Sequence, residues 1–201
     1  LAAEDYKNVY NKAGMLVTWD DHEVTDNGDF EPWTDDPGDQ AKFQNAMDSF
    51  FEVMPVDAGE GPDYQLWRTF RWGLTAEIIV LETRYEREEP GGNAKYITDE
   101  QMDFLKERLL NSPCVFKIVV NSVPITNMPL IWDIAANDRW EGYPASRNEL
   151  LAHINDNDIV NVWFVSGDFH VTFSALIEPD DGGRVGNTRE IALTSGNVNP
   201  L

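Results

Sequence analysis

The sequence predicts an α/β domain built around a mixed sheet. Three short, mostly apolar runs, at residues 76–81, 114–120 and 161–165, have the length and composition of buried strands. Segments with apolar residues at helical spacing alternate with these runs, as in α/β proteins. At 201 residues and 42% hydrophobic composition the chain can bury a sizeable core, and it is most simply one domain, residues 1–201.

The first half of the chain begins with a predicted helix over residues 1–14, ended by a glycine. Residues 15–17, Met-Leu-Val, are predicted to form a buried strand. After an irregular loop, residues 40–53 are expected to be a helix whose apolar stripe packs in the core. A strand pair is then predicted over residues 67–81.

The second half continues the alternation of helices and strands. A capping-box-like start at Thr98 predicts a helix that ends near Leu110, with Met102, Leu105 and Leu109 on its buried face. Further elements are expected in order along the chain: a strand at 114–120, a helix at 146–154, and a hairpin of strands at 171–177 and 190–194.

The composition limits the classes of function. The chain has 36 acidic and 15 basic residues, for a formal net charge of −21, so a nucleic-acid-coating role is excluded by repulsion. No segment reaches the roughly 18 apolar residues of a membrane helix, and residues 1–5 do not form a signal peptide. A single cysteine excludes an internal disulfide. The sequence does not indicate an oligomeric state.

Two adjacent carboxylates follow the first predicted strand, in the stretch Trp19-Asp20-Asp21-His22-Glu23. Such carboxylates repel each other unless a cation or a proton relieves the repulsion. Hard cations prefer oxygen ligands, and an imidazole beside them can bind metal or transfer a proton. Acidic junctions between strands and loops are also common without any site, so this stretch alone leaves both interpretations open.

The stretch from Asn161 to His170 repeats that arrangement near the other end of the chain. An apolar run is followed by Gly167 and then by Asp168 and His170. Functional groups collect beyond the carboxyl ends of strands in open α/β sheets, so the two stretches are expected to meet at one edge. Two of the three histidines, His22 and His170, lie in these stretches. This concentration favours a metal site over an ordinary acidic loop.

These two motifs resemble the PhoD-type alkaline phosphatases of the calcineurin-like metallophosphoesterase superfamily. The resemblance rests on Trp-Asp-Asp-His-Glu at 19–23, followed by Asn27, and on Ser-Gly-Asp-Phe-His at 166–170. It runs from about Tyr6 to the C-terminus, and weaker support comes from the segments 68–84, 98–124 and 137–144. The resemblance implies the C-terminal portion of a metallophosphoesterase-like α/β/β/α sandwich with mixed sheets.

The family resemblance implies a phosphoric ester hydrolase, an alkaline phosphatase or phosphodiesterase. In that reaction a metal-activated water attacks phosphorus and His22 assists the leaving group, while Glu23 orients the histidine. A small phosphate ester is the implied substrate. The resemblance also implies a secreted or periplasmic location.

The metal ligands implied by the resemblance come from both motifs: Asp21 with Asp20 beside it, and Asp168 with His170. Their oxygen-rich, anionic character favours calcium and iron, the ions that PhoD-type relatives use. The remaining candidates for a metal or phosphate contact are Asn27 and Asn121. Asn121 is equally well explained as a turn former at a strand end.

One departure from the family pattern concerns the bridging ligand. The family's first two metal motifs, which supply a bridging Asp, precede the histidine motif, and nothing upstream of Asp20 provides them. We therefore expect residues 1–201 to be a single catalytic domain that lacks its N-terminal metal-motif segment, or a site completed by another chain.

Two other functions stay open on the sequence. The motifs do not distinguish phosphate monoesters from diesters. A non-catalytic relative that binds a metal or a phosphate-bearing ligand is the alternative from another class. The two motif histidines, His22 and His170, argue against it, because a purely structural calcium site has little use for imidazole.

Overall fold

One six-stranded sheet organises the part of the chain that the computed structural model describes: residues 8, 11–25, 31–57, 65–128, 136–180 and 188–193. The strands are β1 (Arg68–Trp72), β2 (Ala76–Val80), β3 (Phe116–Val120), β4 (Val162–Ser166), β5 (Phe173–Leu176) and β6 (Arg189–Ala192). Their order across the sheet is β1-β2-β3-β4-β6-β5. The four central strands are parallel and the two edge strands antiparallel. The sheet is therefore mixed, as the sequence predicts.

Three described α-helices lie along the chain in the order that the apolar spacing predicts, the first of them before β1: α1 (Pro37–Val53), α2 (Asp99–Asn111) and α3 (Pro144–Asp156). Helix α1 begins earlier than expected because Asp36 caps it, accepting hydrogen bonds from the N–H groups of Gly38 and Asp39. Thr98 caps α2 and accepts from the N–H of Gln101 at 3.3 Å. Within the described ranges, no helix is long and apolar enough to cross a membrane.

The main core lies where α2 and α3 pack beside the sheet. Alternate residues of the central strands are buried, because successive side chains of a strand point to opposite faces. These residues join apolar side chains from both helices in one cluster, which includes Ile79, Val119, Phe164, Leu105, Leu109, Leu150 and Ile154. Burying each such side chain contributes about 1.5–3 kcal/mol.

A second, smaller cluster forms around Trp19, which is 1% exposed and packs against Met47 and Phe50 of α1. The strand predicted at residues 15–17 is wrong. Met15 and Leu16 are exposed. A side chain, and not the backbone hydrogen bonds of a sheet, attaches the segment: Arg68 donates to the carbonyl of residue 17 at 2.7 Å. Of this apolar run only Val17 packs against the cluster around Trp19, and none of the run belongs to the sheet. Most of the helix predicted at 1–14 lies outside the described residues.

The register of the parallel strands places their carboxyl ends together. Val80 pairs with Val120, and Val120 pairs with Val165. In the same way, Ser166 pairs with Ala192. The loops that follow β2, β3 and β4 consequently leave the sheet at one edge, where polar groups of open α/β sheets collect.

Candidate metal centre

Side-chain hydrogen bonds hold the segment at residues 18–21 against this edge. The hydroxyl of Thr18 donates to the carbonyl of Leu81 at 2.7 Å. Ser122, in the loop after β3, donates to the carbonyl of Trp19 at 2.6 Å. The indole of Trp19 donates to Glu82 at 2.6 Å. Asp20 and Asp21 are therefore fixed at the carboxyl ends of β2 and β3 without belonging to a strand.

The loop after β4 brings the third carboxylate. Gly167 donates its N–H to the carbonyl of Ser122 at 2.9 Å. Asp168 and His170 both have left-handed backbone conformations, with φ of 59° and 55°. Asp and His tolerate this region better than most residues, but it still costs about 1–3 kcal/mol for a non-glycine residue. The loop is held from outside, since Arg139 lies 4.8 Å from the centroid of the Phe169 ring.

Asp20, Asp21 and Asp168 form a compact group of carboxylates. One oxygen from each lies within 4.8 Å of the others. Calcium binds oxygen ligands at about 2.3–2.6 Å, so ligand atoms around one ion lie no more than about 5 Å apart. Asp21 is 1% exposed, and its Oδ2 atom has no hydrogen-bond partner in the described part of the chain. A buried oxygen left in this state is what a cation would satisfy, so the group fits a hard metal ion.

Arg84 provides the counter-charge of this group. Its guanidinium lies 2.6 Å from Asp20, 3.3 Å from Asp168 and 3.7 Å from Asp21. It also contacts Asp138 at 2.6 Å, and its side chain is fully buried. Four carboxylates thus surround it, and Arg87 provides a second cation to one of them, since it pairs with Asp138 at 2.7 Å. With all four ionised, two negative charges remain, which a divalent cation would neutralise.

The electrostatics of the group follow from burial and from this imbalance. Burial, and then the neighbouring Asp20, raise the pKa of Asp168 to about 7. Burial also raises the pKa of Asp21. Burial alone would raise the pKa of Asp138, but Arg84 and Arg87 bring it below its ordinary value. Asp21 and Asp168 therefore lack enough nearby positive charge to offset their burial, whereas Asp138 has enough.

The remaining predicted site residues lie around this group. His22 and Glu23 are exposed, and Glu23 accepts a hydrogen bond from the N–H of Asp20 at 2.9 Å. His170 is exposed and lies two residues beyond Asp168. The compact group of described residues consists of the three aspartates and includes neither histidine.

Asn121 lies at the end of β3 and is 2% exposed. Its side-chain oxygen accepts from the indole of Trp140 at 3.2 Å, and its amide donates to the carbonyl of Val165 at 3.5 Å. The first bond ties the end of β3 to the 3₁₀ helix Trp140–Gly142, and the second ties it to β4. Asn27 lies outside the described residues.

Two members of the site, Arg84 and Asp138, are not among the residues that the sequence analysis selected. Arg84 follows β2 closely, so the rule that selected the aspartates, a polar residue beyond a strand end, also applies to it. Asp138 ends the 3₁₀ helix Ala136–Asp138 and carries no comparable signal.

One known protein of similar sequence and one solved structure of similar fold match this chain. The chain is 25% identical over 194 residues to Alkaline phosphatase D of Bacillus subtilis (strain 168), covering 82% of this chain and 32% of that protein. A solved structure described as "Structure of PhoD" matches with a TM-score of 0.74 and 25% identity, covering 90% of this chain and 39% of that one. The chain thus spans well under half the length of either relative.

The structural likeness to PhoD confirms the metallophosphoesterase-like α/β fold, of which the described residues supply one mixed sheet. The PhoD-like phosphatase family matches residues 1–198. The chain belongs to the PhoD-like phosphatase family.

Proposed function

We propose that the protein carrying this chain is a metal-dependent phosphoric ester hydrolase. The observation that carries the proposal is the group of three aspartates at the carboxyl edge of the sheet, with a buried oxygen of Asp21 that has no hydrogen-bond partner among the described residues. Its membership of the PhoD-like phosphatase family supports a phosphate ester as substrate. We further propose a secreted or periplasmic location.

Asp20, Asp21 and Asp168 would hold the metal, with His170 as a further ligand and Asn27 and Asn121 as candidate metal or phosphate contacts. Calcium and iron are the ions we expect, because the donors are mostly hard oxygen atoms. Such ions, when bound, neutralise the charge of a phosphate group and make water more acidic. Arg84 keeps the carboxylates close to one another before any ion arrives.

His22 is proposed as the proton donor to the leaving group. Its exposed position next to Asp21 lets a substrate reach it. Glu23 fixes the backbone of the same turn, since it accepts from the N–H of Asp20. A positioned donor of this kind contributes about 10²–10⁴-fold to the rate of proton transfer chemistry.

Residues 1–201 supply only part of the ligand set in this proposal. A dinuclear centre needs a bridging carboxylate and at least four ligands for each ion. We propose that the missing ligands come from another part of the protein or from another chain.

The alternative is a relative that binds metal or phosphate without catalysis. The observation that favours it is the position of Arg84, whose guanidinium already contacts all three aspartates. In that case Arg84 would hold the three aspartates around a structural cation, and the group would take no part in a reaction.

Substitutions at His22 and Asp168, with metal analysis of the intact protein, separate these functions. His22→Ala should lose about 10²–10⁴-fold in turnover of an aryl phosphate and keep its metal. Asp168→Asn should lose metal and turnover together. His153→Ala is the matched control, because His153 lies on α3 and bonds to the carbonyl of Lys106.

Three results would contradict the proposal. Loss of metal in His22→Ala would make His22 a ligand. A wild-type protein that binds metal and hydrolyses neither aryl phosphate monoesters nor diesters would favour the non-catalytic alternative. Full activity of Asp168→Asn would remove the aspartate group from the mechanism.

A further inference from the structure

Glu82 is a buried carboxylate that bonds both to Trp19, the residue before Asp20, and to the backbone of Arg84. It lies two residues beyond β2 and is 3% exposed. Its Oε1 atom accepts from the indole N–H of Trp19 at 2.6 Å and from the backbone N–H groups of Arg84 and Tyr85 at 2.8 and 2.7 Å. Its Oε2 atom accepts from the N–H of Glu86 at 2.9 Å. One side chain thus receives four N–H donors.

Only an acceptor suits this position. A carboxylate offers two acceptor oxygens and no hydrogen, whereas the amide of glutamine would place a donor against one of the four N–H groups. Burial, and then Glu86, raise the pKa of Glu82, while the N–H donors favour its charged form. A buried charge is retained at such a cost only where hydrogen bonds compensate it.

Glu82 is itself fixed from α2. Its backbone N–H donates to the side-chain oxygen of Gln101, and its carbonyl accepts from the side-chain amide of Gln101, both at 2.8 Å. Gln101 is fully buried. Gln101 therefore fixes the backbone of Glu82 to α2. The four hydrogen bonds of the Glu82 carboxylate then fix the Trp19 indole and the backbone of residues 84–86.

We propose that Glu82 is the positioning residue of the acidic group. Through the indole of Trp19 it holds the segment that carries Asp20 and Asp21. Through the backbone of Arg84 it holds the guanidinium that contacts both of them and Asp168. Its relevance to catalysis rests on the proposed function; the positioning itself does not.

A matched pair of variants tests this inference in the intact protein. Glu82→Gln removes the negative charge from all four hydrogen bonds, which about halves the strength of each, and its amide nitrogen replaces one acceptor oxygen. Glu86→Gln makes the same chemical change in the same turn, but Glu86 accepts from Trp67, Thr98 and Gln101 and not from the Trp19 indole. Both variants are compared with the wild type after circular dichroism has shown that they fold.

The first measurement does not depend on metal. With ¹⁵N-labelled tryptophan and Trp19→Phe to assign the signal, NMR reports hydrogen exchange at the Trp19 indole. Mass spectrometry reports exchange at the amides of residues 84–86. Glu82→Gln should accelerate exchange at both places by about tenfold or more, since each factor of ten corresponds to about 1.4 kcal/mol of lost protection. Glu86→Gln should leave exchange at the Trp19 indole within about twofold of the wild type.

The second measurement is Ca²⁺ affinity by calorimetry. Loss of a group that orients metal ligands typically weakens affinity by about 10–100-fold, which is the change expected for Glu82→Gln. If Glu82→Gln does not fold, Trp19→Phe takes its place here, since it removes the indole donor and keeps the carboxylate. It should also weaken Ca²⁺ binding.

Unchanged indole exchange in a folded Glu82→Gln variant, or equal changes in Glu86→Gln, would overturn the inference. For an unfolded Glu82→Gln, wild-type Ca²⁺ affinity in Trp19→Phe would overturn it. Equal Ca²⁺ binding by the wild type and by Asp21→Asn would instead refute the proposed metal site, and the exchange data would still decide the role of Glu82.

Discussion

Arg84 is the residue on which the charge of the site depends. Its guanidinium is buried among Asp20, Asp21, Asp138 and Asp168, at distances between 2.6 and 3.7 Å. Burial opposes its charge, but Asp20 and Asp138 hold the pKa of Arg84 well above its ordinary value. The planar fork of arginine contacts several carboxylates at once, which the point charge of lysine does not.

Removing this guanidinium should destabilise the fold strongly. In Ca²⁺-free buffer, Arg84→Met should lower the free energy of unfolding by about 3–5 kcal/mol, because it leaves buried carboxylates without a partner. Arg84→Lys keeps the charge and should cost less. Urea denaturation measures both. Arg71→Met, at an exposed arginine of β1, is the control and should change stability by no more than about 1 kcal/mol. An Arg84→Met variant as stable as the wild type would show that Arg84 does not compensate the group.

At the scale of elements, an aromatic cluster joins the loops that lead into α2 and α3. The ring of Tyr96 lies 4.6 Å from that of Trp140 and 4.7 Å from that of Tyr143. The hydroxyl of Tyr143 donates to the carbonyl of Glu88 at 2.7 Å. Trp140 in turn bonds to Asn121 at the end of β3. These contacts connect the helical layer to the edge of the sheet that carries the site.

The cluster should make stability fall at alkaline pH. Burial raises the pKa of Tyr143 to about 12 and raises that of Tyr96 as well. An unfolded tyrosine ionises near pH 10, so the folded state binds the proton more tightly. The stability is fully present below about pH 10 and is lost as pH rises from there towards about 12.

Urea midpoints at pH 8, 9.5 and 11 check this expectation. Tyr143→Phe should lose less stability between pH 9.5 and 11 than the wild type, although it lacks one hydrogen bond at every pH. Tyr85→Phe is the control, because Tyr85 is 39% exposed. Parallel curves for the wild type and Tyr143→Phe would contradict the expectation.

At the scale of the whole molecule, acidic side chains dominate. The formal charge of −21 keeps bare polyanions away over a Debye length, while a bound cation reverses the sign locally. The described acidic group nevertheless offers only three carboxylates to an ion. The negative charge of the whole molecule therefore attracts cations, but the small number of described ligands limits how tightly this group can bind one.

Residues 1–201 alone should accordingly bind Ca²⁺ weakly and show no significant hydrolysis of an aryl phosphate. Even with His170 and Asn121, the ligands fill only part of two coordination shells that each need at least four. Calorimetry and a colorimetric assay of the isolated 201-residue chain test this. The intact protein, assayed beside it, is the control. Robust, metal-dependent hydrolysis by a folded, monomeric chain of 201 residues would contradict the ligand count.

The sequence by itself determined the helices and strands, and it selected the clustered aspartates, among them Asp21 and Asp168. Apolar spacing located all three described helices and the strands of the sheet, because the burial of a face is recorded in the local period of a sequence. Asp168 was located because it follows a parallel strand, whereas Asp21 was selected by its adjacent carboxylates, since the strand predicted before it does not form. The prediction at residues 15–17 was wrong, since of these three apolar residues only Val17 packs, and it packs beside Trp19 instead of in a strand.

Tertiary structure alone decided how the charges are compensated. Arg84 reaches Asp20 across 64 positions of the chain and Asp138 across 54. Glu82 reaches the Trp19 indole across 63. Local patterns record the neighbours of a residue along the chain, whereas the partner of a buried charge is whichever group the fold brings within hydrogen-bond distance. That is why the carboxylates could be read from the sequence and the residues that hold them could not.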